Sequence, residues 1–233
     1  MHKIILKELK NYTDEVYAER NKRILNICEG RYAQDDVLLG VRVPKQRELA
    51  KKYSGCINLK ETEKLLHDKI HEIRFIALAV LCDKYKKSGN NGKSEIAEIY
   101  LRNYEYINNW DLVDSSAPDI AGHNWYSNGL TEFWEFAGSG NVWKERIAVV
   151  STFYFIKRGR FKETLKLAEM FFNTNHDLIC KASGWMLREI GKRDKKVLLS
   201  FLDKYASMMP KIMIRYSVEK FSKRIRNLYL KKN

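Results

Sequence analysis

The sequence predicts an all-α chain, arranged as a curved solenoid of helix-pair repeats with a basic concave face. Three observations predict it. Apolar residues recur at spacings of three and four along most of the chain, which lines them up on one face of a helix. No run of strict apolar–polar alternation occurs, so no strand is expected. Similar short segments return with aligned residues Arg74, Asp114, Arg146, Lys181 and Arg215 at intervals of 40, 32, 35 and 34 residues. That period belongs to stacked helix pairs. With 233 residues there is enough chain for a sizeable core, and residues 1–233 read as a single repeat domain.

The elements follow in order. Ile73, Ile76, Ala77 and Val80 mark one helix after the break at Ser54-Gly55, and Ser88-Gly89-Asn90-Asn91-Gly92 reads as the loop that ends it. Asn109-Trp110-Asp111-Leu112-Val113-Asp114 opens the next repeated segment. Ala137-Gly138-Ser139-Gly140-Asn141 is a second loop, and Trp143-Lys144-Glu145-Arg146-Ile147-Ala148 restarts the pattern. Gly159 interrupts it again before Leu165, Ala168 and Phe172. His176-Asp177-Leu178-Ile179-Cys180-Lys181-Ala182 and Pro210-Lys211-Ile212-Met213-Ile214-Arg215-Tyr216 complete the set. Pro44, Pro118 and Pro210 are the only prolines.

Forty-three Lys and Arg against 29 acidic residues give a formal charge of +14. Such an excess repels itself and is relieved by a polyanion, with nucleic acid ahead of an anionic membrane. The longest apolar stretch, Ile147 to Ile156, contains Ser151 and Thr152 and is too short to span a bilayer. The N-terminus lacks the apolar run of a signal peptide. Cys28, Cys56, Cys82 and Cys180 form no Cys-x-x-Cys pair, so reduced and mostly buried thiols are expected in a cytoplasmic, nucleoid-associated protein.

Equivalent positions of a solenoid line one face, so the aligned column should present Arg, Asp, Arg, Lys, Arg to a phosphate backbone. Asp114 is out of place in a row of cations that only binds, which points to chemistry. Trp110 and Asp114 are four apart on one helix face, and Lys181, Trp185 and Arg188 share another. Indoles and a carboxylate together favour a positively charged target within a polyanion. An N3- or N7-alkylated purine is such a target. Trp125, Trp134 and Trp143 are assigned to the core.

These residues also resemble a family. Asn109-Trp110-Asp111-Leu112-Val113-Asp114-Ser115-Ser116, Arg146 to Ile156, His176 to Ile179 with Gly184 to Asp194, and Met209-Pro210 with Arg215-Tyr216 and Glu219 are similar to hallmarks of the AlkD-type HEAT-like DNA glycosylases. These are the DNA alkylation repair enzymes. The likeness runs from about His71 to the C-terminus, departing from the pattern at Lys211-Ile212, and the first 60 residues match it only loosely. It implies a HEAT-like fold, with Asp114 as the catalytic residue, Arg146 as a DNA contact and Trp110 and Trp185 as the site tryptophans. The activity implied is hydrolysis of the N-glycosidic bond of cationic alkylpurines in double-stranded DNA. Neither metal nor other cofactor is implied, and the protein is expected to be a monomer with no obligate protein partner and no membrane partner.

Other motifs fall short. His67 and His71 have the spacing of a zinc helix but lack the glutamate beside the first histidine. Gly89 to Ser94 is too short for a phosphate loop and reads as a surface turn. The basic tail Lys220 to Lys231 can add phosphate contacts without selectivity. Two other functions fit the same fold: a non-catalytic binder of damaged or branched DNA, which Asp114 argues against, and a protein–protein adaptor, which would lack a steep salt dependence.

Overall fold

The computed structural model describes residues 1–28, 30 and 32–231. It is all-helical among those residues, with an isolated β-bridge joining Val37 to Ile70. Contacts divide the chain into two compact units, Met1–Asn124 and Trp125–Asn233.

The first unit holds α1 (His2–Leu9), α2 (Glu15–Ile24), α3 (Val43–Tyr53), α4 (Leu59–Leu66), α5 (His71–Lys87), α6 (Asn90–Arg102) and α7 (Trp110–Ser116). Local chemistry starts these helices. Asp14 accepts the Tyr17 N–H at the start of α2, and Asn58 and Glu61 form a reciprocal capping box on α4. Helix α5 is the hub, packing on α3, α4, α6 and α7 and buried on nearly every side. A π-helical turn, Pro118–Gly122, follows α7 and leads into α8 (His123–Asn128), within which the division between units falls. Its cause is Pro118. A proline nitrogen has no hydrogen to give the Asp114 carbonyl, and the Gly122 N–H bonds five residues back to the Ala117 carbonyl at 2.8 Å.

The second unit holds α9 (Thr131–Ala137), α10 (Val142–Ile156), α11 (Lys162–Met170), α12 (Asp177–Gly191), α13 (Lys195–Tyr205), α14 (Lys211–Ser217) and α15 (Lys223–Leu230). Asn141 caps α10 through the N–H groups of Trp143 and Lys144, and Asp194 caps α13. Helix α12 packs on α10, α11, α13 and α14. Its contact with α14 is the tightest because of Gly184, where an added Cβ would lie 2.5 Å from the Met213 carbonyl oxygen.

The five aligned residues fall on α5, α7, α10, α12 and α14. The expected uniform exposure of that column is not observed. Arg74 is 3% exposed and Arg146 4% exposed, because α5 and α10 are enclosed by their neighbours and leave no solvent face at those positions. Other expectations need correction too. Residues 90–92 belong to the first turn of α6, so the loop before it is only Ser88-Gly89. Trp125 and Trp143 are buried, but Trp134 is half-buried with the Lys166 ammonium 4.4 Å from its ring centroid. Cys82 and Cys180 are buried, whereas Cys28 and Cys56 are exposed.

Gly184→Ala forces apart two helices that meet at backbone distance. The substitution should lower the stability of the second unit by about 1–3 kcal/mol, the usual cost of overpacking, read as a lower midpoint in urea denaturation of the full chain.

Candidate functional site

In the first unit the site is built on α7. Asn109 precedes it and is fully buried, with Oδ1 accepting from the Trp110 N–H at 2.8 Å and Nδ2 donating to the Leu25 carbonyl at 2.9 Å. The Trp110 indole N–H points at the Ile24 carbonyl, 3.4 Å away, and its ring packs on Leu25, Ile27 and Ala33. The end of α2 therefore clamps the indole while leaving it half exposed. Leu112, Val113 and Ser116 face inward. Trp110 and Asp114, one turn apart, are both half-buried on the remaining side. A pocket of about 140 Å³ beside Trp110 is lined by Tyr17, Asn21, Ile24, His71, Trp110 and Asp111, among others.

Beneath α7 lies a buried charge cluster. His71 is 2% exposed, with Nδ1 3.1 Å from an Asp36 carboxylate oxygen and Nε2 2.8 Å from an Asp111 carboxylate oxygen. Arg74 donates to Asp36, to the Asn108 side-chain oxygen at 3.0 Å and to the Asp68 carbonyl at 2.9 Å. Burial alone would push His71 toward its neutral form. The charge of Asp111 and hydrogen bonds to both carboxylates overcome that and raise its pKa to about 9. Burial likewise opposes ionisation of Asp36, but His71 and Arg74 prevail and hold it below the usual carboxylate range. Both His71 nitrogens are thus spent on carboxylates, and His67 spends Nε2 on Asn103 at 2.7 Å.

A second groove of the same unit, about 270 Å³, runs between α3 and α5 and reaches Ser115, the neighbour of Asp114. Arg47 and Lys51, four apart on α3, line it without an ion pair among the described residues, and Arg47 lies 5.9 Å from the Phe75 ring. Lys86 lines it too, paired with Asp119 at 2.7 Å. The sequence reading missed these cations. Their spacing of four was the available signal, in a region where the family likeness was loose.

In the second unit, Arg146 of α10 donates to the Leu178 carbonyl at 2.6 Å, which fixes it against the first turn of α12. His176 caps that turn by accepting the Leu178 N–H on Nδ1; burial pushes its pKa down, which keeps the ring a neutral acceptor. Lys181, Trp185 and Arg188 are half-buried along one side of α12. Each is engaged. Lys181 pairs with Asp177 at 3.3 Å, Arg188 pairs with Glu219, and the Trp185 N–H reaches Glu189 at 3.3 Å. Burial disfavours the Glu189 carboxylate, yet hydrogen bonds from Lys192, Arg193 and Trp185 hold its pKa below the usual value.

Phe153 of α10 was not singled out from sequence. Its ring lies 6.3 Å from that of Trp185, with Lys157 at 4.9 Å and Arg193 at 5.5 Å from its centroid. Two aromatic faces flanked by cations can hold a sugar or base beside a phosphate.

A family model described as "DNA alkylation repair enzyme" matches residues 5–221, taking in the N-terminal helices. No curated protein matches the chain. Among solved structures, a predicted DNA alkylation repair enzyme from Enterococcus faecalis is similar with a TM-score of 0.70. The match covers 91% of this chain and 97% of that one at 18% identity, which is a likeness of fold.

The raised pKa of His71 carries a stability consequence. A group whose pKa rises on folding contributes fully below its unfolded value, near 6.5, and loses that contribution as pH climbs through about 9. The melting temperature of the parent protein should fall across that window. In His71→Gln the same thermal scans should show a smaller fall.

Proposed function

The chain belongs to the DNA alkylation repair enzyme family, and on that premise we propose that it is a monofunctional DNA glycosylase. Its substrates are cationic N3- and N7-alkylpurines in duplex DNA, such as 3-methyladenine and 7-methylguanine. The observation that carries the reading is the pairing of Trp110 and Asp114 on successive turns of α7, both half-buried, with the indole clamped to the Ile24 carbonyl.

An alkylated purine leaves readily because it already carries a positive charge, so the barrier lies in oxocarbenium character developing on the deoxyribose. Carboxylates stabilise that kind of transition state in glycosidases. At about 4 Å from a positive centre a carboxylate contributes on the order of 4 kcal/mol at an effective dielectric near 20. Asp114 stabilises this charge and orients the attacking water, whose oxygen bonds to the sugar carbon as the purine departs neutral with the glycosidic electrons, the water's proton passing to solvent. Trp110 packs against the deoxyribose.

Residues of the second unit grip the duplex. Trp185, with Phe153 beside it, offers an aromatic face, while Lys181 and Arg188 exchange their carboxylate partners for phosphates. Arg146, at 4% exposure, acts as a fixed buried charge rather than an exposed clamp. Arg47 and Lys51 add phosphate contacts beside Ser115. The reaction calls for no metal or redox cofactor, and the protein works as a monomer. A HEAT-like solenoid of the helix pairs is part of the same proposal.

Release of free methylated base from methylated duplex DNA tests the reading. The parent protein should release base. Asp114→Asn should lose at least about 10²-fold in rate, equivalent to about 2.7 kcal/mol, while keeping its affinity for DNA. Binding by both proteins with no release by either would overturn the glycosylase and leave a DNA-binding scaffold.

A further inference from the structure

We propose that His71 is a positioning residue, held as an imidazolium between Asp36 and Asp111, that sets the first turn of α7 and with it Trp110 and Asp114. The proposal rests on the reading of α7 as the reactive helix.

Geometry argues for the imidazolium first. Ionised carboxylates only accept hydrogen bonds, and both ring nitrogens of His71 face one, at 3.1 and 2.8 Å. A neutral ring would have one N–H and would aim a lone pair at a carboxylate in a buried site. With the ring charged, His71 and Arg74 balance Asp36 and Asp111. The other groups around the ring do not compete. Glu72, next on α5, spends its carboxylate on the N–H groups of Leu39, Gly40 and Val41. Tyr17 and Asn21 of α2 and Gln46 of α3 line the neighbouring pocket and bring no carboxylate, amine or guanidinium to it.

The cluster's reach makes it more than packing. Asp36 belongs to the segment before α3, His71 and Arg74 to α5, and Asp111 to the first turn of α7, while Arg74 also holds Asn108, two residues before Trp110. Apolar packing tolerates rotation of a short helix about its axis. A hydrogen bond between one ring nitrogen and one carboxylate does not. Trp110 precedes Asp111 and Asp114 follows one turn later, so the Asp111–His71 bond fixes the phase of both.

Three measurements on the full chain test this. Nitrogen NMR of the His71 ring at neutral pH should show two protonated nitrogens, and a single protonated nitrogen overturns the proposal. Trp110 emission, isolated by difference from Trp110→Phe, should move to longer wavelength in His71→Gln and in Asp111→Asn. The latter leaves the Asp36 partner in place and removes the charged acceptor of Nε2, its one amide oxygen remaining for the Leu112 N–H. In the parent protein the same emission should follow a one-proton transition near pH 9, an arm that needs no variant at this cluster. Base release by folded Asp111→Asn should fall in kcat on the order of tenfold to a hundredfold, as a small misplacement of reacting groups costs, with duplex affinity kept. Unchanged emission and unchanged kcat in that variant overturn the positioning role. If the parent protein releases no base, the glycosylase reading fails separately, and ring protonation and Trp110 emission still decide the role of His71.

Discussion

Three stretches of chain distant in sequence meet at the His71 ring: the segment around Asp36, the hub helix α5 and the entrance to α7. Two cations and two carboxylates share that buried volume, so the first unit is held at its centre by charge as well as by apolar contact. Removing one partner of such a group costs several kcal/mol, because the survivor is left charged and dry. Much of the candidate site depends on it. Asn109 can cap α7 and reach the Leu25 carbonyl, and Trp110 can reach Ile24, only while α7 keeps its present rotation.

The second unit solves a comparable problem through close approach. Gly184 admits the α14 backbone to the surface of α12, and the contact sets where Trp185, the next residue, emerges. Glu189 then organises the face one turn on, accepting from Trp185, Lys192 and Arg193 at once. A single carboxylate thus orients the Trp185 indole and the Arg193 guanidinium beside Phe153 and holds Lys192 as well. Both units set a half-buried tryptophan by tying its N–H to a fixed oxygen, a backbone carbonyl for Trp110 and a carboxylate for Trp185.

Much of this was legible in the sequence. Helical spacing gave the all-helical class, and the five aligned residues each fall within a helix. Asn109 to Asp114 announced a helix start because its polar residues sit at the positions that cap one, and α7 begins there. What was not legible has physical reasons. Helices α5 and α10 are apolar almost all round, so their periodicity does not say which side a charge occupies, and Arg74 and Arg146 were read as outward when both are buried. The His71 cluster depends on Asp36, which lies in a segment without helical pattern 35 residues earlier. One hint was present: His71, Glu72 and Arg74 crowd charge into the first turn of a helix that is apolar from Phe75 to Cys82, a position that burial permits only to satisfied groups. Glycines between residues 89 and 92 looked like a loop because propensity reads them one by one, whereas α6 begins among them.

Ion pairs along α12 bear on how such a protein treats DNA that needs no attention. Lys181 sits on Asp177 and Arg188 on Glu219 before any duplex arrives. A phosphate must therefore displace a carboxylate, and what it gains is the difference between two ionic contacts. The formal charge of +14 overstates the grip accordingly. On the proposed function, these two paired cations hold undamaged duplex more loosely than unpaired ones would. On that same function, residence depends more on groups that no phosphate satisfies, such as the carboxylate of Asp114, so the time spent at each position follows the base as well as the backbone.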